Sequence, residues 1–223
     1  MKILGIILAR RGSKRLKFKN KKKLGQHPLF YWSVLSCKST KKIFDFIVST
    51  DDIEIINYCK KKNIKYVTRP KKISKDNTPS TISAIHAAKW YEKNFVKVDA
   101  ILLLQPTSPF RSKKTIEKGI KKFYKKNLLP VVSVSKLKNN LKYIYNQKGS
   151  LLYKSKFNLN IKDKNFFYPN GLFYLIKFSD LIKNNDFLLR KMIPLEVESY
   201  KETIDIDEIE DLKLAKILIN KKI

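Results

Sequence analysis

Two segments of this 223-residue chain carry side chains of the right type and spacing to handle phosphates. The first is Arg10-Arg11-Gly12-Ser13-Lys14-Arg15-Leu16-Lys17-Phe18-Lys19-Asn20, where six of eleven residues are cationic. It follows Ile3-Leu4-Gly5-Ile6-Ile7-Leu8-Ala9, a run apolar enough for a strand buried on both faces of a parallel sheet. A loop of free amides, a serine hydroxyl and cations at the carboxyl end of such a strand is a receptacle for polyphosphate. It is not a Walker loop, because Gly5 lies inside the strand and its spacing to Gly12-Ser13-Lys14 is wrong for that motif. A solvated basic turn would have the same composition.

The second segment is Thr203-Ile204-Asp205-Ile206-Asp207-Glu208-Ile209-Glu210-Asp211. In an extended chain Asp205 and Asp207 point one way, Ile204 and Ile206 the other. Two hard carboxylates on one side suit Mg²⁺, which commonly takes one or two of them together with substrate phosphates and water. The same residues also allow Asp207 to cap the last helix, with Glu210 completing a capping box.

The elements that would position these groups can be read from hydrophobic periodicity. Strands are predicted over 2–8, 46–49, 65–67, 100–104 and 130–134, with helices over 28–39, 53–62, 80–94 and 113–125. Their alternation predicts an α/β fold, a mostly parallel central sheet with helices on both faces. The pattern weakens over 136–167, which reads as an inserted hairpin or arm. It resumes at 172–176 and ends in a helix over 208–219, so residues 1–223 form one domain. Ligands of such sheets bind outside the carboxyl ends of the strands. There the chain places Ser49-Thr50-Asp51-Asp52 and Gln105-Pro106-Thr107-Ser108-Pro109-Phe110-Arg111. Asp52 and Ser112 have the positions of helix N-caps, which leaves Gln105, directly after a buried strand, without a structural reason.

The formal charge of +30 suggests nucleic acid as a partner. Only six of the 49 basic residues are arginine, however, and the lysines are spread along the chain, so no specific nucleic-acid partner is expected. Cys37 and Cys59 lie in helical segments without metal or redox spacing, as reduced core thiols do. The first strand begins at the amino terminus with no signal peptide before it, and no apolar run approaches the ~20 residues of a membrane span. A cytoplasmic protein is expected. His27 and His86 match no catalytic pattern.

A polyphosphate loop and a later carboxylate pair together describe a nucleotidyltransferase. Over nearly its full length the chain resembles the bacterial CMP-sialic acid synthetases (acylneuraminate cytidylyltransferases). The resemblance rests on Leu8-Ala9-Arg10 with Gly12-Ser13-Lys14 and Lys19-Asn20, on Val48-Ser49-Thr50-Asp51 and on Leu103 to Arg111. It continues with Pro169-Asn170-Gly171 plus Tyr174, and with Ile204-Asp205-Ile206-Asp207. It implies transfer of CMP from CTP to the anomeric hydroxyl of a sialic-acid-like 2-keto sugar acid, with release of pyrophosphate. Arg10, Ser13, Lys19 and Asn20 would handle the phosphates, Lys19 countering charge at the α-phosphate. Ala9, Thr78 and Thr81 would frame the cytosine, while Gln105, Asn170 and Tyr174 would face the sugar acid. Asp205 and Asp207 would hold Mg²⁺. A homodimer is also implied, with the arm reaching the partner's site. The family often places an arginine before Pro-Asn-Gly to grip the sugar acid. Residues 158–169 contain none, leaving Lys162 or Lys164 as a point charge. Legionaminate, pseudaminate and Kdo are the alternative acceptors, and a catalytically impaired nucleotide-binding regulator is the alternative function.

Overall fold

The computed structural model describes residues 1–137, 145–148, 151–154 and 166–220. In chain order the elements are β1 (Ile3–Leu8), β2 (Lys23–Leu24), β3 (His27–Pro28), α1 (Leu29–Ser39), β4 (Asp45–Thr50), α2 (Ile53–Lys61) and β5 (Tyr66–Thr68). There follow α3 (Ser80–Asn94), β6 (Ala100–Leu103), α4 (Lys113–Lys125), β7 (Val131–Lys136), β8 (Tyr145–Lys148) and β9 (Leu151–Lys154). The chain ends with β10 (Phe167–Lys177), α5 (Phe178–Asn184), β11 (Ile193–Glu196) and α6 (Ile209–Asn220).

The central sheet has the order β11-β7-β10-β6-β1-β4-β5. Pairings are parallel except for β10, which runs antiparallel to both neighbours. Alternate residues of each strand feed two separate cores. Ile3 and Ile7 of β1 pack with α1, α2 and α4, while Leu4 and Ile6 pack with α3 and α5. Burial on both faces is why β1 and β6 read as unbroken apolar runs. A third, smaller core joins Leu16, Leu24 and Leu29 to Ile204, Ile206, Leu212 and Ala215. It ties the basic loop to the acidic segment through α6.

The reversed direction of β10 has a functional consequence. Its amino-terminal half, carrying Pro169-Asn170-Gly171, lies at the edge where the parallel strands end. A register shift between Pro169 and Tyr174 bends the strand there. Gly171 has φ +81°, and a Cβ on it would come within 3.0 Å of Gln105 Oε1.

The sequence did not reveal the β2–β3 pair, α5 or β11. Part of the expected arm, 136–167, including Lys162 and Lys164, lies outside the described residues. Within it β8 and β9 form an antiparallel pair. Its ends leave the sheet side by side, where Leu137 N–H donates to Phe166 O at 2.8 Å. Among the described residues no helix is long and apolar enough to cross a membrane. Cys37 and Cys59 are unpaired and buried, and burial pushes both thiols up to about 12, so they stay protonated.

Close packing of α4 on the sheet depends on Gly119. A Cβ there would meet Phe173 Cζ at 2.5 Å and Leu195 Cδ2 at 2.9 Å, and neither neighbour is an exposed chain end. Alanine gains ~1 kcal/mol of helix propensity, against an overpacking cost of ~1–3 kcal/mol. Gly119→Ala is therefore expected to lower Tm by several degrees in thermal unfolding, and an unchanged or raised Tm would contradict this packing.

Candidate active site

A cleft of about 360 Å³ opens at the carboxyl edge of the sheet, lined by Arg10, Lys19, Arg69, Asp76, Gln105 and Asp205 among others. The basic loop is shaped to face it. Phe18 adopts the left-handed conformation, φ 55°, which is costly for a bulky residue and is held by its surroundings. Its ring lies under Lys21, with the ammonium 4.4 Å from the ring centroid, and beside Arg11. The turn brings Lys19 inward and buries Asn20, whose Nδ2 donates to Arg10 O at 2.8 Å. Asn20 thus clasps the loop shut while lining the cleft. From β4, Asp51 Oδ1 accepts from Arg11 N at 2.7 Å, and Thr50 Oγ1 donates to Ala9 O at 2.6 Å.

The cations of this wall are held by carboxylates. Lys19 Nζ lies 2.6 Å from Asp207 Oδ1, and Arg15 bonds the other oxygen of the same group. Arg10 pairs with Asp76, and Lys14 lies 3.7 Å from it. Burial alone would raise the Asp207 pKa, but hydrogen bonds and charge from Lys19 and Arg15 outweigh it and hold it below the usual carboxylate range. Asp205 behaves oppositely. Burial pushes its carboxyl up, the nearby Thr107 hydroxyl offsets part of this, and Asp207 adds repulsion. Among the described residues Asp205 has no ion pair.

The carboxylates project into the cleft for the anticipated reason, although the segment is not a strand. Ile204 and Ile206 insert into the third core, and Ile206 N donates to Thr107 O at 2.8 Å. The capping arrangement needs correction. Asp211 Oδ2, not Glu210, accepts from the amides of Asp207 and Glu208, at 2.9 and 2.8 Å. Asp211 therefore serves the start of α6 and leaves the Asp207 carboxylate to Lys19 and Arg15. Asp52 and Ser112 do cap, accepting from Glu54 N at 2.9 Å and Thr115 N at 3.1 Å.

Ser13, Thr78 and Gln105 line the cleft with Arg10, Lys19, Asn20, Asp205 and Asp207. Ala9 is wholly buried beneath it, between Leu8 and Arg10, with its N–H on Ser49 O. Thr81 is buried in α3, about 100° around the helix from Ser80. Ser80 and Ser83, three residues apart, face the cleft in its place. Asn170 is a strut: its Nδ2 donates to Ser135 Oγ at 3.0 Å and its Oδ1 accepts from Leu172 N, supporting the bend at Gly171. Tyr174 stacks 5.9 Å from Phe187; burial raises its hydroxyl pKa, and the Gly171 backbone partly offsets this.

Two arginines escaped the sequence reading. Arg69, buried, donates Nε to Ser49 Oγ at 3.1 Å and Nη2 to Ser49 O at 2.9 Å while lining the cleft. Arg111 ends the Gln105 loop. It is buried, its guanidinium donating to Leu172 O, Gln105 O and Ser33 Oγ at 2.6, 3.0 and 3.2 Å. It fixes the Gln105 loop against β10. Scarcity was the available signal: three of the six arginines, Arg10, Arg15 and Arg69, line this cleft or its mouth, in a chain that otherwise uses lysine.

Asp76, too, escaped the sequence reading, since only its pairing with Arg10 marks it. The Thr107 hydroxyl lines the cleft beside Asp205, while Ser108 Oγ is buried near Gly171 and Gln105 without a hydrogen-bond partner among the described residues. A hydroxyl in the cleft wall is a group a polar ligand can engage. The carboxylate pair suits a hard divalent cation that shares oxygens with phosphate, and Asp205 carries the charge such an ion would compensate.

Comparison with known proteins follows the same line. The cytidylyltransferase family model matches residues 4–223. A CMP-N,N'-diacetyllegionaminic acid synthase from Legionella pneumophila is 31% identical over 229 residues, covering 98% of this chain and 97% of that protein. An N-acylneuraminate cytidylyltransferase from Escherichia coli O18:K1:H7 is 26% identical, covering 99% of this chain and 53% of that longer protein. The fold is also that of a CMP:2-keto-3-deoxy-manno-octonic acid synthetase complexed with CTP, with TM-score 0.74, 15% identity and both chains fully covered. A family match spanning nearly the whole chain, on this sheet order and with this cleft, makes the protein a member of the cytidylyltransferase family.

Proposed function

We propose that the protein transfers CMP from CTP to the anomeric hydroxyl of a nine-carbon 2-keto sugar acid and releases pyrophosphate. The acceptor oxygen bonds the α-phosphorus, the bond from that phosphorus to the α–β bridging oxygen breaks, and the hydroxyl proton is lost. The observation that carries this reading is the convergence of Lys19, Arg10, Asp205, Asp207 and Gln105 on one cleft. Phosphoryl-type transfer depends mainly on positioning and charge stabilisation, which these groups supply. Arg10, Ser13 and Lys19 bind and orient the phosphates, and Lys19 offsets charge at the α-phosphate. Arg69, with Thr78 and Ser80, walls the nucleotide side. Gln105 and the Thr107 hydroxyl orient the sugar acid.

Asp205 and Asp207 would hold Mg²⁺, which neutralises charge on phosphate oxygens. Asp207 also holds Lys19 and Arg15, which keeps both cations at the phosphate wall. The 31% identity to a CMP-N,N'-diacetyllegionaminic acid synthase favours a legionaminate-type acceptor over sialate itself. The β8–β9 pair, with the exposed Phe167 and Tyr168 at the base of its insertion, serves as the arm of a homodimer in this reading.

The test is pyrophosphate release with each of four nucleotides against legionaminate, sialate, pseudaminate and Kdo. Turnover is expected with CTP and a nine-carbon acid. With Mg²⁺, CTP should also raise Tm clearly more than ATP or GTP does. Equal stabilisation by all nucleotides without turnover would reduce the cleft to a generic phosphate site.

A further inference from the structure

We propose that Glu202 is a positioning residue for Asp205, clamping the acidic segment to the loop that carries Gln105. The inference rests on the roles just given to Asp205 and Gln105. Glu202 comes three residues before Asp205, in a stretch without a regular strand or helix, and is only 8% exposed. Its Oε1 accepts from Ser112 N at 2.7 Å, and its Oε2 from Thr115 Oγ1 at 2.6 Å. Both partners belong to the start of α4, about 90 residues away in sequence.

Helix capping accounts for part of this arrangement. Ser112 caps α4 from within, its Oγ accepting from Thr115 N at 3.1 Å, and Glu202 takes the Ser112 amide as the acid of a capping box would. A residue within α4 could do that; drawing the carboxylate from 90 residues away and burying it, at a desolvation cost, does more than cap. What the contact adds is a tether. Four residues later Ile206 N donates to Thr107 O at 2.8 Å, so the short span holding Asp205 is fastened at both ends to the 105–115 region. The first fastening has two hydrogen bonds to one carboxyl group against a single backbone bond at the second, which makes it the stronger of the two.

Arg111 connects the two sides. Its buried guanidinium holds Gln105 O and Leu172 O, and the carboxylates whose charge acts on it are Glu202 and Asp205. Glu202 thus shares the compensation of a buried cation. Without it, the position of Asp205 relative to Gln105 would depend on the Ile206 hydrogen bond and on apolar packing alone. Groups that orient a metal-binding carboxylate typically change metal affinity or activity ~10–100-fold when removed.

The experiment measures kcat, KM for CTP and the half-saturating Mg²⁺ concentration for Glu202→Ala and Glu202→Gln. Gly119→Ala serves as a control for general destabilisation. Glu202→Ala is expected to need ~10-fold more Mg²⁺, with KM for CTP near the parent value once Mg²⁺ is saturating. Glu202→Gln keeps the length and an oxygen for the Ser112 amide, and should recover most of the loss. Gly119→Ala should lose Tm without a change in Mg²⁺ requirement. A Glu202→Ala enzyme with lowered Tm but the parent's kcat and Mg²⁺ requirement would overturn the proposal, leaving Glu202 a structural staple. Asp205→Asn tests the metal reading separately: if that variant keeps the parent's Mg²⁺ dependence, the metal role falls and the Glu202 proposal falls with it.

Discussion

Asp205→Asn is expected to lower pyrophosphate release by at least ~10²–10³-fold, the scale seen when one preorganised electrostatic group is removed, without lowering Tm. The two halves of this result have one cause. Burial and the neighbouring Asp207 raise the Asp205 pKa above its unfolded value, so the folded chain binds that proton more tightly than the unfolded chain. Asp205 is open to solvent in the cleft, so its ionised carboxylate opposes folding only weakly at neutral pH, and that penalty fades as pH falls below its folded-state pKa. Asparagine removes the charge, so its Tm should stay close to the parent's at neutral pH and in acid alike. Asp207→Asn should lower Tm. Its lowered pKa means that its pairs with Lys19 and Arg15 stabilise the fold above the unfolded pKa and are lost as pH falls through the folded one. Activity assays beside thermal unfolding at neutral and acidic pH check both. Near-parent turnover in Asp205→Asn, or a collapse of its Tm, would leave this carboxylate a structural residue.

The central strands were legible because a strand covered on both faces writes its burial directly into sequence. β1, β4 and β6 are such strands. β11 is not: it lies at the sheet edge, is four residues long, contains Pro194 and alternates buried with more exposed positions. The β2–β3 pair is too short to impose any period. The Asp205–Asp207 alternation survives without a strand because Ile204 and Ile206 are drawn into the third core, and that packing enforces the same two-sided pattern. Capping of α6 was misread for a related reason. Asp207, Glu208, Glu210 and Asp211 are all acids near one helix start, and only the distant partners Lys19 and Arg15 decide which is left to cap.

The site was legible in its contiguous parts and illegible where single residues converge from far apart. The basic loop and Gln105 announce themselves by position after buried strands. Arg69, Asp76 and Glu202 act through partners 20, 66 and 90 residues away. The resemblance placed Thr81 at the nucleotide, but at the start of α3 Thr81 turns to the core and Ser80 to the cleft. The role of Arg111 is equally invisible in sequence: a buried guanidinium with three hydrogen bonds is scaffolding, although it stands in a loop of polar residues.

Lys19→Ala should reduce kcat by ~10²–10³-fold with little change in KM for CTP. Lys19 is the cation most constrained to face the cleft: its side chain is 12% exposed, its loop is turned inward by Phe18 and clasped by Asn20, and Asp207 holds its ammonium. A charge fixed in advance costs no reorganisation when charge develops at the α-phosphate, so its loss weakens the transition state more than the bound ground state. Arg10, Lys14 and Arg15 remain to hold the triphosphate, which is why KM should be nearly unaffected. Lys21, two residues on, points instead to Asp52 and Glu54. Lys21→Ala should leave kcat near the parent value and so controls for lost basic charge. Steady-state kinetics on the pair decide the matter. If Lys19→Ala raises KM with kcat unchanged, Lys19 is a binding contact, and stabilisation at the α-phosphate must come from Arg10 or from the ion held by the carboxylates.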